Sequence, residues 1–509
     1  MNKLYGMQWL IAAGVTSTVL SCQTKEDVAK PNIIYILADD LGYSELGCYG
    51  QTKIETPNID ALATHGMSFS QMYAGQAVSG PSRCVTLTGM HSGHAYIRGN
   101  DEMPERGPVW DHLAVLKDST LEGQRPIPAN TVIIPKVLKQ EGYATACIGK
   151  WGLGNPGSKS TPNKMGFDFF YGYNCQREAH TYYPPFLYRN ECREYLPNEV
   201  LVPHTGLDKG ADKYDEKSYA KYTKKVYSGD PMYEEMIKFV EEKKDEPFFL
   251  YWATPLPHVP LQAPERWVNY YREKFADEEP FASHLDYFPC RWPHATYAAM
   301  ISYLDEQVGG LVAKLKELGI YENTLIVFTS DNGPTFNGGT DSPWFDSAKP
   351  FKSEHGWGKC FLREGGIRVP QIVTWPGKIK EGSNTDLICS SYDLMATLCD
   401  VVGTEAPKTD GISYLPTLLG EKQQNQHEYL YWEFPEGPGQ KAVRMGKWKA
   451  FISDIKAGNR EILLYNLEED IQEQHNVAEQ HPEIIEKVLE IFHKEHEEPE
   501  LKCFSIPEF

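Results

Sequence analysis

Acidic and basic side chains follow several apolar segments of the sequence, each at the point where the apolar run stops. They are, in chain order, Asp39 and Asp40, Lys150, His258, and Asp331 with Asn332. Three carboxylates and an amide oxygen form a ligand set that suits a hard divalent cation such as calcium. Lysine and histidine suit a substrate that carries negative charge. These positions are a first sign that separated segments of the chain build one site, although each acidic segment read alone is more typical of a turn at a strand end.

Residues 79–89 carry the most specific pattern, Ser-Gly-Pro-Ser-Arg-Cys-Val-Thr-Leu-Thr-Gly. The pattern resembles the signature of formylglycine-dependent type I sulfatases, in which a Cys or Ser is followed by x-P-S-R, and T-G closes the pattern. The resemblance implies that a maturase oxidises Ser79 to formylglycine (3-oxoalanine). It also implies that the modified Ser79 completes a calcium site formed by Asp39, Asp40, Asp331 and Asn332.

Three further segments resemble the same family. Residues 149–154 read Gly-Lys-Trp-Gly-Leu-Gly against G-K-W-H-L-G, residues 257–260 match P-H-x-P, and residues 358–368 match G-K-x-x-x-x-E-G-G-x-R. The resemblance implies that Lys150 and Lys359 bind the sulfate group, that Arg83 helps to neutralise it, and that His258 protonates the leaving alcohol. One hydroxyl of the hydrated aldehyde then attacks sulfur, and the second expels sulfate.

One position departs from the family pattern. Gly152 stands where the family usually has a histidine that fixes the hydrated aldehyde and helps to release sulfate. His180, in a loop predicted to pass over the strand ends, is our candidate for a compensating base. A loop histidine that faces solvent is the other interpretation of the same residue.

The substrate is predicted less sharply than the reaction. An exported hydrolase meets extracellular polymers, so sulfated carbohydrates are the expected class, and the overall resemblance favours exo-type attack on a galactose or N-acetylgalactosamine sulfate. Aromatic side chains can stack on sugar rings or simply pack in the core. The candidate substrate-binding residues are His94, Arg98, Asn100, His180 and Trp432, and the aromatic loop residues Tyr182, Tyr183, Phe186 and Tyr188 are open to both interpretations.

Alternating strand and helix patterns must position these residues. Apolar runs predict strands at residues 31–38, 144–148, 247–253, 325–329 and 370–375, and helical patterns separate them at 58–64, 131–141, 233–243, 297–318 and 392–402. This order predicts an α/β fold with a large, mostly parallel sheet flanked by helices, which the resemblance specifies as alkaline-phosphatase-like. Short runs at 428–434, 442–452 and 461–467, followed by a helix at 482–496, predict a smaller α+β subdomain built on an antiparallel sheet. We therefore expect a catalytic domain at 31–404 and a C-terminal subdomain at 405–509.

The composition limits the partners. The 509 residues include 50 Lys and Arg against 70 Asp and Glu, which gives a formal net charge of −20. A nucleic-acid ligand is excluded on this basis because a polyphosphate backbone requires a basic face. Beyond Cys22, no two cysteines form a CxxC pair, which argues against zinc or iron–sulfur ligation.

The N-terminus resembles a bacterial lipoprotein signal. Lys3 precedes an apolar stretch that ends in Val-Leu-Ser-Cys at residues 19–22. We expect residues 1–21 to be removed, Cys22 to be lipidated, and residues 22–30 to form a tether; a plain secretory peptide is the alternative. The predicted location is the periplasm-facing membrane or the cell surface of a Gram-negative bacterium, with contact to the membrane only through the lipid anchor.

Two other functions stay open at this point. One is a phosphonate or phosphodiester hydrolase of the same superfamily, some members of which share the formylglycine signature. The other is a glycan-binding lipoprotein whose catalytic site has decayed, which Gly152 suggests. The joint presence of Arg83, Lys150, His258 and Lys359 argues against a pure binder, because binding alone does not require a nucleophile next to an acid.

Overall fold

The computed structural model describes residues 1, 30–282, 287–423 and 425–507. The predicted lipidation site Cys22 and almost all of the predicted signal and tether lie outside the described residues. Among the helices of the described ranges, none is both long and apolar enough to cross a membrane.

Sixteen strands and eleven α-helices make up the regular structure of the described residues. The strands are β1 (Asn32–Ala38), β2 (Met67–Phe69), β3 (Met72–Tyr73), β4 (Ala144–Lys150), β5 (Phe169–Tyr173), β6 (Phe186–Arg189), β7 (Cys192–Tyr195), β8 (Phe248–Ala253), β9 (Thr324–Ser330), β10 (Gln371–Thr374), β11 (Ser383–Thr385), β12 (Cys389–Ser390), β13 (Leu430–Phe434), β14 (Gln440–Met445), β15 (Trp448–Ile452) and β16 (Leu463–Asn466). The helices are α1 (Pro57–Thr64), α2 (Ser79–Thr88), α3 (His112–Lys117), α4 (Ile134–Gln140), α5 (Gly229–Lys243), α6 (Glu265–Phe275), α7 (Pro293–Glu317), α8 (Glu364–Ile367), α9 (Asp393–Val402), α10 (Leu415–Leu418) and α11 (Pro482–Glu495).

A ten-stranded sheet forms the centre of the catalytic region, in the order β11-β2-β10-β9-β1-β8-β4-β5-β6-β7. The five central strands, from β9 to β5, run parallel to one another. Their carboxyl ends therefore lie at the same edge of the sheet, where ligands bind in open α/β sheets. The predicted α/β class with a large, mostly parallel sheet is confirmed.

Helices cover both faces of this sheet. Ile33, Tyr35 and Leu37 of β1 pack on one side with α2, α4 and α9, whereas Ile34 and Ile36 pack on the other with α1, α5 and α7. Because both faces of a central strand are buried, its sequence is apolar at every position rather than at every second one. This explains the continuous run Ile-Ile-Tyr-Ile-Leu-Ala that indicated a buried strand.

One predicted strand runs in the opposite direction to its neighbours. Residues 370–375 contain β10, which pairs antiparallel with β9 and with β2. A parallel neighbour requires a crossover that carries the chain back to the other edge of the sheet. The only α-helix described between β9 and β10 is the four-residue α8, so the chain re-enters the sheet from the carboxyl edge.

The C-terminal region is an antiparallel sheet, β13-β14-β15-β16, covered by α11. The predicted run 442–452 is two strands, because Gly446 adopts a left-handed φ of +52° and turns the chain. Leu430, Trp432 and Phe434 point into the core of the catalytic region, while Tyr431 packs with α11. This alternation attaches the small sheet to the large one through a shared apolar core.

Candidate active site

The ends of adjacent strands bring the predicted polar residues together. Asp39 and Asp40 directly follow β1, Asp331 and Asn332 follow the neighbouring β9, and Lys150 ends β4. All five are at most 2% exposed. The backbone N–H of Asp40 donates to Oδ1 of Asp331 at 3.2 Å, which ties the two strand ends together.

Ser79 is the first residue of α2, whose ten residues are all buried. Its Oγ donates a hydrogen bond to Oδ1 of Asp39 at 2.8 Å. Arg83 lies one turn later on the same side of the helix, donating to Oδ2 of Asp331 at 3.0 Å and to the Lys150 carbonyl at 2.7 Å. The N-terminus of a helix favours negative charge, so α2 places both its dipole and Arg83 next to the acidic cluster.

Two lysines contact the two adjacent aspartates. Lys150 Nζ lies 2.5 Å from Oδ2 of Asp39, and Lys359 Nζ lies 2.8 Å from Oδ2 of Asp40. Burial alone would raise the pKa of Asp39, but Lys150 and the other nearby cations hold that pKa well below its usual range. Asp39 is therefore ionised at neutral pH and retains its charge for the cluster.

The donor set fits an oxygen-preferring divalent cation. Asn332 Nδ2 donates to Oδ1 of Asp40 at 2.8 Å, while its buried Oδ1 has no hydrogen-bond partner among the described residues. Burial and the neighbouring Asp39 raise the pKa of Asp331 to about 7. Crowded carboxylates beside an amide oxygen without a partner are the arrangement that a hard cation stabilises.

His258 lies over this cluster, in the loop after β8. Its Nδ1 donates to the carbonyl of Val259, which leaves Nε2, 3.7 Å from Oδ2 of Asp40, as the reactive nitrogen. The hydroxyl of Tyr182 donates to the carbonyls of Pro255 and His258 and so fixes the loop. Burial, followed by the charge of Lys359, lowers the pKa of His258 to about 4. The negative charge of a bound anionic substrate raises this pKa and favours protonation at Nε2.

These groups open into a cavity of about 230 Å³. Six predicted site residues line it, namely Ser79, Asn100, Lys150, His180, His258 and Lys359. Arg83 and the metal-ligand candidates other than Ser79 do not line the cavity. The side of the cavity near Asn100 carries two carboxylates, Glu102 and Glu436, that sequence reasoning missed. No motif marks them, since they come from two separate loops that only the folded chain brings together.

Three predicted substrate-binding residues do not line the cavity. Trp432 is fully buried and donates its indole N–H to the Ala74 carbonyl at 3.0 Å, so it is a core residue. Arg98 is 3% exposed and forms an ion pair with buried Glu433. His94 donates to Asp410, away from the cavity. The proximity of His94 and Arg98 to the signature in sequence was misleading because the chain turns away at the end of α2, at Gly89. The aromatic residues Tyr182, Tyr183, Phe186 and Tyr188 are likewise buried and serve packing.

Gln176 occupies the space beside Gly152, and it was also missed. Gly152 has a left-handed φ of +76°, and a Cβ built on it would lie 2.6 Å from Gln176 Cγ. A Cβ on Gly80, next to Ser79, would lie 2.8 Å from Gln176 Nε2. Gln176 belongs to the loop that suggested His180, but sequence does not show which loop side chain faces Ser79.

His180 lies in the cavity and contacts the proposed acid. Its ring stacks on His258 with a centroid distance of 5.6 Å, and its Nδ1 is 3.1 Å from Nε2 of His204. Burial, followed by the charges of His258 and His204, lowers the pKa of His180 well below its ordinary value. The imidazole of His180 is therefore neutral at physiological pH.

Comparisons with known proteins agree with this geometry. A family model described as Sulfatase matches residues 31–404. The chain belongs to the sulfatase family. A second model, described as N-sulphoglucosamine sulphohydrolase, C-terminal, matches residues 353–499 of this sulfatase. As a member of the family, the protein is a sulfuric ester hydrolase.

Its relatives include several glycan sulfatases. The chain is 29% identical over 520 residues to N-acetylgalactosamine-6-O-sulfatase of Bacteroides thetaiotaomicron, covering 91% of this chain and 92% of the relative. It is 29% identical to human arylsulfatase A, covering 91% and 87%. Among solved structures, Ps i-CgsB in complex with k-i-k-neocarrahexaose is similar with a TM-score of 0.71 and 28% identity, over 92% of this chain and 94% of the other.

Proposed function

We propose that this sulfatase hydrolyses sulfate esters of extracellular glycans with a formylglycine made from Ser79. The observation that carries the proposal is the position of Ser79. It begins a buried helix at the base of the cavity, with its Oγ on Asp39 and with Lys150, His258 and Lys359 lining the same space. When modified, this residue supplies a nucleophilic hydroxyl and a second hydroxyl from which sulfate is released.

The cations of the site bind the sulfuryl group. Lys150 and Lys359 line the cavity, so each ammonium can donate to a sulfate oxygen while its other protons stay on Asp39 or Asp40. Arg83 does not reach the cavity. It instead holds Asp331 and the Lys150 carbonyl, which fixes the positions of the groups that contact the substrate. Preorganised charges of this kind stabilise the negative charge that develops during the reaction.

His258 protonates the leaving oxygen. Its Nδ1 is fixed on the Val259 carbonyl, so the proton transfer takes place at Nε2. The bound sulfate ester raises the fraction of protonated imidazole, and the proton passes to the alkoxide as the S–O bond breaks. General acid catalysis by a positioned group typically contributes roughly 10²–10⁴ in rate.

The cation is proposed to be calcium, held by Asp39, Asp40, Asp331, Asn332 and the modified Ser79. Three carboxylates with an amide oxygen favour calcium over softer metals. When bound, the cation offsets the repulsion among the carboxylates and polarises oxygen atoms next to Ser79.

The proposed substrate is a galactose or N-acetylgalactosamine sulfate at the end of a glycan chain, which the enzyme would hydrolyse as an exo-sulfatase. Support comes from the 6-O-sulfatase of Bacteroides thetaiotaomicron and its mammalian counterparts, which are named for N-acetylgalactosamine, and from the size of the cavity, which suits one sugar unit. Glu102 and Glu436, at the side near Asn100, provide acceptors for sugar hydroxyl groups.

The proposed location is the envelope of a Gram-negative bacterium, with the enzyme anchored through lipid on Cys22. The apolar stretch that ends at Cys22 supports this. A Cys22→Ala variant should retain its activity on soluble esters but leave the membrane fraction or stay unprocessed. Unchanged membrane association of this variant would refute the anchor.

Mass spectrometry of the peptide containing Ser79, from protein made in its native host, tests the central proposal. The expected mass is lower than that of serine by two hydrogens. The same preparation should cleave sulfate esters far faster than phosphonate esters of the same alcohol, and Ser79→Ala should be inactive. An active preparation in which Ser79 is unmodified would contradict the proposal.

A further inference from the structure

A second cavity of about 250 Å³ adjoins the active-site cavity. Trp110, Arg177 and His180 line both of them, so they form the wall that the two spaces share. A glycan whose sulfated unit occupies the first cavity can therefore place the next unit against this wall. Neither the metal-ligand candidates nor the acid His258 line the second cavity.

Trp110 has the properties of a sugar-stacking platform. Its side chain is 63% exposed, although large aromatic groups are normally removed from water. The backbone after Trp110 is fixed by a helix cap, and one face of the indole is covered by a cation. The next residue, Asp111, caps α3 by accepting from the N–H groups of Leu113 and Ala114, and the guanidinium of Arg177 lies 4.6 Å from the ring centroid. An exposed and preorganised aromatic face loses little entropy when a sugar ring packs on it.

Arg177 gives this wall a positive charge, which acts on the nearby carboxylate of Glu102 without forming an ion pair with it. It donates a hydrogen bond to the Val109 carbonyl, but within residues 30–282, 287–423 and 425–507 it forms no ion pair. An unpaired guanidinium stands out in a chain with a net charge of −20. The carboxylate of Asp111, which lines the same cavity, is engaged by the helix cap and does not contact Arg177.

His112, which also lines the second cavity, provides an independent observation. It is 6% exposed, and its Nδ1 lies 3.6 Å from Oε2 of Glu178. Its buried Nε2 has no hydrogen-bond partner in the part of the chain that the structure describes. Buried polar groups are rarely left without a partner, so an unfilled ligand position is a direct explanation.

We propose that the cavity formed by Trp110, Arg177 and His112 binds an acidic sugar unit adjacent to the sulfated one. The sugar ring stacks on the free face of Trp110, its carboxylate or sulfate contacts Arg177, and a hydroxyl group bonds to His112. This inference rests on the proposed glycan sulfatase function and specifies its substrate as a polyanionic oligosaccharide rather than an isolated sulfated sugar.

Binding can be measured without catalysis, using Ser79→Ala protein and a sulfate-free oligosaccharide that contains a uronic acid. Titration calorimetry should show binding that Trp110→Ala and Arg177→Gln each weaken about tenfold or more, as expected for the loss of one stacking or one charge-assisted contact. Tyr195→Ala is the matched control, because Tyr195 is 73% exposed but lines neither cavity. Equal binding by all variants would overturn the inference.

Kinetics of the active enzyme then separate this inference from the proposed function. Trp110→Ala should lower kcat/KM for a sulfated acidic oligosaccharide at least tenfold more than for the corresponding monosaccharide sulfate. Equal losses on both substrates would overturn the second site while leaving the sulfatase activity established. Oligosaccharides with reduced carboxyl groups or without internal sulfate show which anion contacts Arg177. If Arg177→Gln lowers kcat/KM by the same factor on an oligosaccharide that lacks both anions, the inferred preference for an acidic unit is wrong.

Discussion

Gln176 fills the space next to Gly152 and brings a carboxamide to the helix that begins at Ser79. A Cβ built on Gly152 would lie 2.6 Å from Gln176 Cγ, and a Cβ built on Gly80 would lie 2.8 Å from Gln176 Nε2. The Gln176 side chain therefore packs against both segments. Gln176 also lines the cavity, and among the described residues its carboxamide has no hydrogen-bond partner. The departure at Gly152 is therefore matched by a polar group from another loop, which argues against a decayed site.

Replacement of Gln176 tests whether this carboxamide bonds to the reacting groups at Ser79. Gln176→Ala should lower kcat about 10²-fold, the usual order for loss of one donor to developing charge. The melting temperature should change little, because no internal hydrogen bond of the carboxamide is lost. Steady-state kinetics on a monosaccharide sulfate measure the effect, and Gln480→Ala on the surface is the control. A kcat equal to that of the parent enzyme would show that Gln176 only fills space.

Gly152→Ala should destabilise the protein more than Gly157→Ala. Both glycines have a φ of +76°, so both variants incur the left-handed strain of a Cβ, about 1–2 kcal/mol. Only position 152 is crowded, since a Cβ at position 157 has nothing within 4 Å. Overpacking typically adds roughly 1–3 kcal/mol to the loss of unfolding free energy. Denaturant unfolding measures both variants, and adding Gln176→Ala should relieve only the Gly152→Ala defect.

Removal of the cation ligands should abolish calcium stabilisation. Asp40→Asn keeps the side-chain shape, and Asn tolerates the left-handed φ of +66° at this position. Calcium at 100 times its Kd should stabilise the parent enzyme by about 2.7 kcal/mol but have no effect on the variant. Thermal unfolding with and without calcium measures this, and Asp400→Asn, which is exposed, should behave as the parent. Full activity after exhaustive chelation would refute a required cation.

His180→Ala tests the compensating base. Its neutral imidazole faces the cavity beside His258, so loss of a base for the second hydroxyl should lower kcat steeply. Rapid-mixing experiments should then show a burst of alcohol release followed by slow release of sulfate. If His180 binds sugar instead, the loss should appear in KM and vary between substrates, without a burst. An unaltered kcat would rule out the base.

The stability of the region where His94 contacts Asp410 and the end of α11 should depend on pH. Burial disfavours its charged form, but the hydrogen bond to Asp410 and the nearby Glu497 and Glu495 raise the pKa of His94 above its ordinary value. His91 also lies here, donating from Nε2 to Glu495 at 3.0 Å. Folding raises the pKa of His94, so the charged pair stabilises the protein fully below about pH 6.5, the pKa of histidine in the unfolded chain. This stabilisation is lost as the pH rises through the pKa of His94 in the folded protein.

His94→Gln should therefore lower the free energy of unfolding most at mildly acidic pH. At pH 6 the loss of unfolding free energy is expected to be roughly 1.5–3 kcal/mol, the range for a hydrogen bond to a charged group. At pH 9 the difference from the parent should be much smaller. Denaturant unfolding at the two pH values measures it, with His475→Gln, at an exposed histidine, as the control. A difference that is equal at both values would show that the pair is not charged.

Motif and pattern alone predicted which residues carry the reaction. The continuous apolar run of β1 indicates burial on both faces, and the acidic pair directly after it then has to lie at the carboxyl edge of the sheet. The spacing from Ser79 to Arg83 is one helical turn, so their common side of α2 also follows from sequence. These are local relationships within one element, or between adjacent strands of known direction, and they need no knowledge of the loops.

Tertiary structure decided which loop side chains reach the site. Trp432 is an aromatic residue of the kind that stacks on sugars, but the alternation of β13 turns it into the core. Trp110 has the same chemistry and is exposed, with the guanidinium of Arg177 against its ring. The paths of long connections depend on contacts between residues far apart in the chain, and a sequence pattern describes only neighbours. For that reason the sequence alone predicted the chemistry at Ser79, whereas only the fold showed that Gln176 covers Gly152.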